Sequence, residues 1–182
     1  LLPLPALLAG CASGGSGGGG LFGLGRRAAA PVGLGRLDRE DPALSGDGRL
    51  LATIVPRAGQ PTVMLQEQSS GRLLPLRHLR GDPPHRSPSL SWNGRYLAVL
   101  AGQGRRRLVL IEDRASGRLH RLMLPPDLEP ERVSLSPDAR RLAIEAMQAG
   151  RPRIRLFALT PLFEPDLPAG LRVRGGGPGT PP

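Results

Sequence analysis

The sequence predicts an all-β protein: three four-stranded β-propeller blades, an incomplete propeller, with flexible N- and C-terminal segments. Three observations carry that reading. A serine-centred segment recurs at Ser45, Ser91 and Ser136, 46 and 45 residues apart. Each copy is followed at matching offsets by short apolar runs, and turn-forming residues separate those runs. A period near 45 made of four such runs is the pattern of a blade, a small antiparallel sheet that stacks on copies of itself to bury its faces.

The chain opens on an apolar stretch, Leu1 to Gly10, ending Leu8-Ala9-Gly10-Cys11. This resembles the lipobox of bacterial lipoproteins, and the resemblance implies that Cys11 is the lipidated residue and residues 1–11 a signal segment. A signal peptide begins with methionine and a basic region, and neither is present, so the start is expected to be truncated. Residues 12–40 are rich in glycine and read as a tether that would hold a domain on the order of 30 Å from the membrane surface. Cys11 is the single cysteine, which excludes an intramolecular disulfide and a cysteine-based zinc cluster.

The repeats occupy about 41–160, with blades expected near 41–86, 87–131 and 132–163. The three copies read Ala43-Leu44-Ser45-Gly46-Asp47-Gly48-Arg49-Leu50-Leu51-Ala52, Ser89-Leu90-Ser91-Trp92-Asn93-Gly94-Arg95-Tyr96-Leu97-Ala98 and Ser134-Leu135-Ser136-Pro137-Asp138-Ala139-Arg140-Arg141-Leu142-Ala143. Asp47-Gly48 and Asn93-Gly94 supply the positive φ of a tight hairpin, and Asp138-Ala139 is a poorer version of the same turn. The runs Leu50–Val55, Tyr96–Leu100 and Leu142–Ala146 are expected as second strands. Those beginning at Val63, Leu108 and Ile154 are expected as third strands. Ser70-Gly71-Arg72 and Ser116-Gly117-Arg118 mark the next turn; the third copy lacks it.

Ser136-Pro137-Asp138-Ala139-Arg140-Arg141-Leu142-Ala143 and its two relatives resemble the PD40 (WD40-like) repeat of the TolB propeller, over about two-thirds of the chain. The resemblance implies a periplasmic protein that contacts envelope partners such as a peptidoglycan-associated lipoprotein. Two features depart from it. The α/β domain that precedes the TolB propeller has no counterpart in this sequence, and TolB is soluble whereas Cys11 implies an anchor. Residues 164–182 read as a Gly/Pro tail.

Signals for catalysis fail on context. Gly14-Gly15-Ser16-Gly17-Gly18 has nucleophile-elbow spacing but lies in a glycine tract rather than at a strand-to-helix turn. Gly23-Leu24-Gly25-Arg26-Arg27-Ala28 fits a dinucleotide fingerprint outside any βαβ unit. His78, His85 and His120 lack metal-ligand spacing and are expected to be solvated, and Glu112-Asp113 is expected in a charged turn. The chain is read as a binding protein and not an enzyme, with no cofactor and no metal.

The net charge is +10, from 25 basic residues that are all arginine. Aromatic residues make up only 3%, which argues against single-stranded nucleic acid, whose bases stack on aromatic faces. In a meander the chain reverses at every turn, so the second hairpin of each blade and the interblade connections emerge at one end. The hairpins carry the candidate partner-binding residues Arg57, then Arg105, Arg106 and Arg107, then Arg151 and Arg153. The first interblade connection is expected to add Arg77, His78, Arg80, His85 and Arg86, and the acidic second, with Asp127, Glu129 and Glu131, to interrupt the basic surface. The function expected is a lipid-anchored cell-envelope interaction module, related to Tol-Pal-type envelope integrity or transport, on the periplasmic side. The alternative is an arginine-rich surface module binding an anionic polymer, lipopolysaccharide or nucleic acid. A further alternative is the gating part of a split hydrolase. Three blades leave open faces, so a homo-oligomer completing the propeller is also expected.

Overall fold

Each copy of the repeat folds as an antiparallel meander in a computed structural model that describes residues 38–80, 84–103 and 106–168, the side chains of Gln103 and Arg106 excepted. Cys11, the tether, Arg105 and most of the tail lie outside the described residues. The first sheet is β1 (Glu40–Leu44), β2 (Leu50–Arg57), β3 (Gln60–Glu67) and β4 (Leu73–Leu74). The second is β5 (His85–Leu90), β6 (Tyr96–Gln103), β7 (Arg106–Asp113) and β8 (Arg118–Leu122). The third, β9 (Leu128–Leu135), β10 (Arg141–Gln148) and β11 (Arg151–Ala158), has three strands among the described residues. Among the described residues no fourth strand follows β11, where the sequence lacks the third Ser-Gly-Arg turn.

The sheets stack face to face, and strand periodicity sorts the core. Leu97, Val99 and Ala101 of β6 point toward the first sheet and pack with Leu50, Ala52, Ile54, Val63 and Leu65. The alternate residues Tyr96, Ala98 and Leu100 point toward the third sheet and meet Val133, Leu135, Leu142, Ile144 and Ala146. A strand buried on both faces must be apolar at every position, which is why β6 reads as a continuous run.

The serine that marks each copy closes the turn behind it. Its Oγ accepts from the amide that starts the second strand: Leu50 N to Ser45, Tyr96 N to Ser91 and Arg141 N to Ser136, each at 2.9 Å. In the first and third copies the hydroxyl donates to the turn aspartate, Ser45 to Asp47 at 2.5 Å and Ser136 to Asp138 at 2.6 Å. Burial opposes ionisation of Asp138, but the Ser136 hydroxyl and the Arg140 amide hold its carboxyl below the ordinary 3.8. Gly48 and Gly94 take φ of 70° and 66° at the next position, and in the third copy buried Ala139 is held at 59°. Left-handed backbone is costly for a residue with a Cβ, so the third turn is strained as its sequence implied.

Equivalent residues also bind the blades together. Ser87 N donates to Asp41 Oδ2 at 2.9 Å, and Val133 N donates to Ser87 Oγ at 3.0 Å; both pairs are 46 residues apart. The first strands therefore lie side by side, each side chain serving the next blade's backbone. Asp41 and Ser87 both have φ of 48° where the β1–β2 and β5–β6 registers slip, so these contacts come from bulges.

Three expectations need correction. His85 is fully buried, not solvated, and its Nδ1 accepts from Val63 N at 3.3 Å. Glu112 and Asp113 are buried at the end of β7 rather than displayed in a turn. The Glu112 carboxylate accepts the amides of Arg77 and His78, each at 2.9 Å, which is how a buried charge between two blades is satisfied. That link also carries Arg77 and His78 away from the arginine-bearing end: His78 Nε2 pairs with the Gly117 carbonyl, in the β7–β8 turn at the opposite end of the blade.

Candidate functional site

Two of the hairpins bearing the candidate arginines are built alike. Ala58-Gly59 has φ of 49° and 77°, and Ala149-Gly150 has φ of 49° and 72°. Positive φ at both central residues matches the right-handed strand twist and gives the tightest two-residue connection. The ladder runs to the last pair in each, Arg57 with Gln60 and Gln148 with Arg151. These arginines therefore project from rigid hairpin ends.

Arg57, Arg151 and Arg153 are exposed and, among the described residues, make no ion pair. Arg107 is exposed and donates to the Pro130 carbonyl of the third sheet at 3.3 Å. Arg106 begins β7, pairing with Gln103 at the same end. Arg80 belongs with this group, since it lines a cleft of about 390 Å³ together with Arg57, above Val63, Leu65 and Leu79. Arg86 is exposed near the start of β5.

Strand alternation adds one arginine that loop reasoning missed. Arg153, Arg155 and Phe157 share a face of β11, and Arg155 donates to Gln148 Oε1 at 2.7 Å. Gln148 in turn donates to Asp127 Oδ2 at 2.6 Å, so the acidic second connection is tied into this end through an amide rather than an ion pair.

The opposite end has a different electrostatic character. Arg95 meets Asp113 through two nitrogens at 3.1 Å each and Glu164 at 2.8 Å, which raises the guanidinium pKa. Burial alone would push the Asp113 carboxyl up, but the hydrogen bonds from Arg95, Ser116 and Ala115 hold it below 3.8. Its carboxylates Asp113 and Glu164 pair with Arg95, whereas Arg57, Arg151 and Arg153 of the hairpin end are exposed and make no ion pair among the described residues. Among the described residues no group of three His, Cys, Asp or Glu side chains is placed to hold a metal ion.

No family model matches the sequence, and no curated protein matches it. The fold does have solved counterparts. TolB from Acinetobacter baumannii superposes with a TM-score of 0.56 at 16% identity, over 68% of this chain and 30% of that one. A putative TolB from Agrobacterium tumefaciens gives 0.56 at 14%, over 68% and 46%. The β-propeller domain of the Trilobed protease from Pyrococcus furiosus, described as having an open velcro topology, gives 0.52 at 13%, over 69% and 40%. The chain spans less than half the length of each, and at these identities the likeness is one of fold. Three stacked antiparallel sheets, each with the same serine turn between its first two strands, are a TolB-like β-propeller arrangement.

Proposed function

We propose that this chain is a non-enzymatic interaction module of the bacterial cell envelope, lipid-anchored through Cys11 on the periplasmic side, which docks an acidic protein partner through its arginine-bearing hairpin end in a Tol-Pal-type role. The observation that supports this most is the repetition of Arg57, Arg107, Arg151 and Arg153 near the strand ends at one end of three sheets, with no carboxylate partner among the described residues. A guanidinium fork suits bidentate contact with carboxylates, and clustering several raises the local concentration of an acidic partner.

The experiment places a photocrosslinking residue at exposed Gln60, in the arginine end, or at exposed Ser69, near the β3–β4 turn. In intact cells Gln60 should capture a discrete envelope protein that Ser69 does not. Equal capture from both positions overturns the assignment of this end. Capture of lipopolysaccharide alone transfers it to an anionic polymer. Cys11→Ser should move the protein from the membrane to the soluble periplasmic fraction; a membrane-bound variant and a wild type without acyl mass overturn the anchor.

A further inference from the structure

The second blade lacks a residue that the other two supply for themselves. In the first and third turns an aspartate, Asp47 or Asp138, accepts from the marker serine and from an amide two residues on. The second turn has Asn93 at that position, and its side chain makes neither bond: its Nδ2 donates instead to Asp166 Oδ1 and to the Leu167 carbonyl. The missing carboxylate comes from far along the chain. Asp166 Oδ2 accepts from Ser91 Oγ at 2.5 Å, Asn93 N at 2.8 Å and Arg95 N at 3.3 Å, and its Oδ1 accepts from Asn93 Nδ2 at 2.9 Å.

The segment that delivers Asp166 pairs in no sheet. Beyond that carboxylate it is held by Asn93 Nδ2 on the Leu167 carbonyl at 2.7 Å, by Asp166 N on the Asp138 carbonyl at 3.1 Å and by Arg95 on Glu164. It is anchored upstream by Phe163, whose ring lies 4.8 Å from that of Tyr96. Leu167 and Pro168 line a cavity of about 770 Å³ with Trp92, Pro137, Arg140 and Arg141.

We propose that the second-blade turn is a carboxylate receptor for an extended, proline-flanked acidic segment, occupied by residues 164–168 of this chain and open by exchange to a partner segment of the same chemistry. Ser91, Asn93 and Arg95 recognise the aspartate, Arg95 also pairs with an acidic residue two positions before it, and Trp92 borders the apolar residues that follow. Asn93 is the specificity determinant. Aspartate there would satisfy Ser91 locally, as in the sister turns, and would repel an incoming carboxylate.

Trp92 is the chain's single tryptophan and reports on the site by its own fluorescence. In the full chain, Asp166→Asn should shift the Trp92 emission, and a synthetic peptide of residues 163–168 should restore it saturably. The same peptide carrying asparagine for Asp166 should bind about tenfold more weakly or worse, as loss of charged hydrogen bonds entails. Asn93→Asp should shift the emission while retaining β circular dichroism, and should not respond to either peptide. Equal restoration by both peptides, or an Asn93→Asp chain whose emission and whose amide exchange over 164–168 match the wild type, overturns the proposal. Binding of the arginine end is unaffected by these variants, so either idea stands or falls alone.

Discussion

Ser91 and Asp166 lie 75 residues apart in sequence and 2.5 Å apart in space, hydroxyl to carboxylate, both buried. The hydroxyl also accepts from Tyr96 N, so it joins the C-terminal segment to the first residue of β6. Ser91→Ala strands a buried amide and part of a buried carboxylate. The expected cost is about 2 kcal/mol or more in urea unfolding. Ser70→Ala, at an exposed turn where the hydroxyl meets Glu67, should change stability by no more than about 0.5 kcal/mol. Equal effects at the two sites would show that the marker serine is not structural.

Acid should loosen the same end of the molecule. Asp113 and Asp138 have folded pKa values below their ordinary 3.8, so each contributes stability that is full above that pH and is lost as pH falls through the folded value. Chemical unfolding midpoints should hold at neutral pH and drop below about pH 4. Asp113→Asn should be less stable than wild type at pH 7 and show a flatter acid limb. An unchanged acid limb would contradict the pairing with Arg95.

Two of the hairpins bearing the arginines, β2–β3 and β10–β11, contain alanine where positive φ favours asparagine or glycine. Ala149 is exposed with φ of 49°, so Ala149→Asn should stabilise by about 0.5–1 kcal/mol. Ala139→Gly relieves similar strain but removes a fully buried methyl, and its net effect should be close to zero. Thermal melts of the two variants test this, and destabilisation by Ala149→Asn would contradict the turn geometry.

The outer face of the third sheet bears on assembly. It presents Ile154 and Leu156, 66% and 71% exposed, beside Glu145 and Ala143. At the equivalent places on the inner blades, Leu50 and Tyr96 give way to Arg141, and Ile54 and Leu100 to Glu145, so this face is no ordinary blade interface. If two chains join through it, light scattering at tens of micromolar, where such contacts saturate, should give a dimer that Ile154→Arg with Leu156→Arg converts to monomer. A monomeric wild type would contradict self-association.

What the sequence made legible followed from local rules. The serine spacing, the apolar runs of β2, β6 and β10 and the Asx-Gly turns are written in neighbouring residues, and the strands fall there. His85 was not legible, because a histidine opening a strand carries no sign that it will face a neighbouring blade. Arg77 and His78 were misplaced because β4 stops after Leu74 and the chain turns toward Glu112, a tertiary contact. Asp166 left only one trace, the Asn93 that breaks the Asp47 and Asp138 pattern. Arg155 was readable only from period-two alternation along β11, since it lies inside the strand and outside the hairpin loop.

Charge reversal at the hairpin end tests the interaction surface most directly. Arg57, Arg151 and Arg153 replaced together by glutamate should leave the melting temperature nearly unchanged, since none of the three is buried or ion-paired among the described residues. Capture of the partner identified from Gln60 should weaken sharply at low ionic strength, and the wild-type interaction should itself fade as salt is added. Unaltered capture by the reversed variant at low ionic strength would contradict the account and move the interface to the end that carries Asp47, Asn93, Arg72 and Arg118.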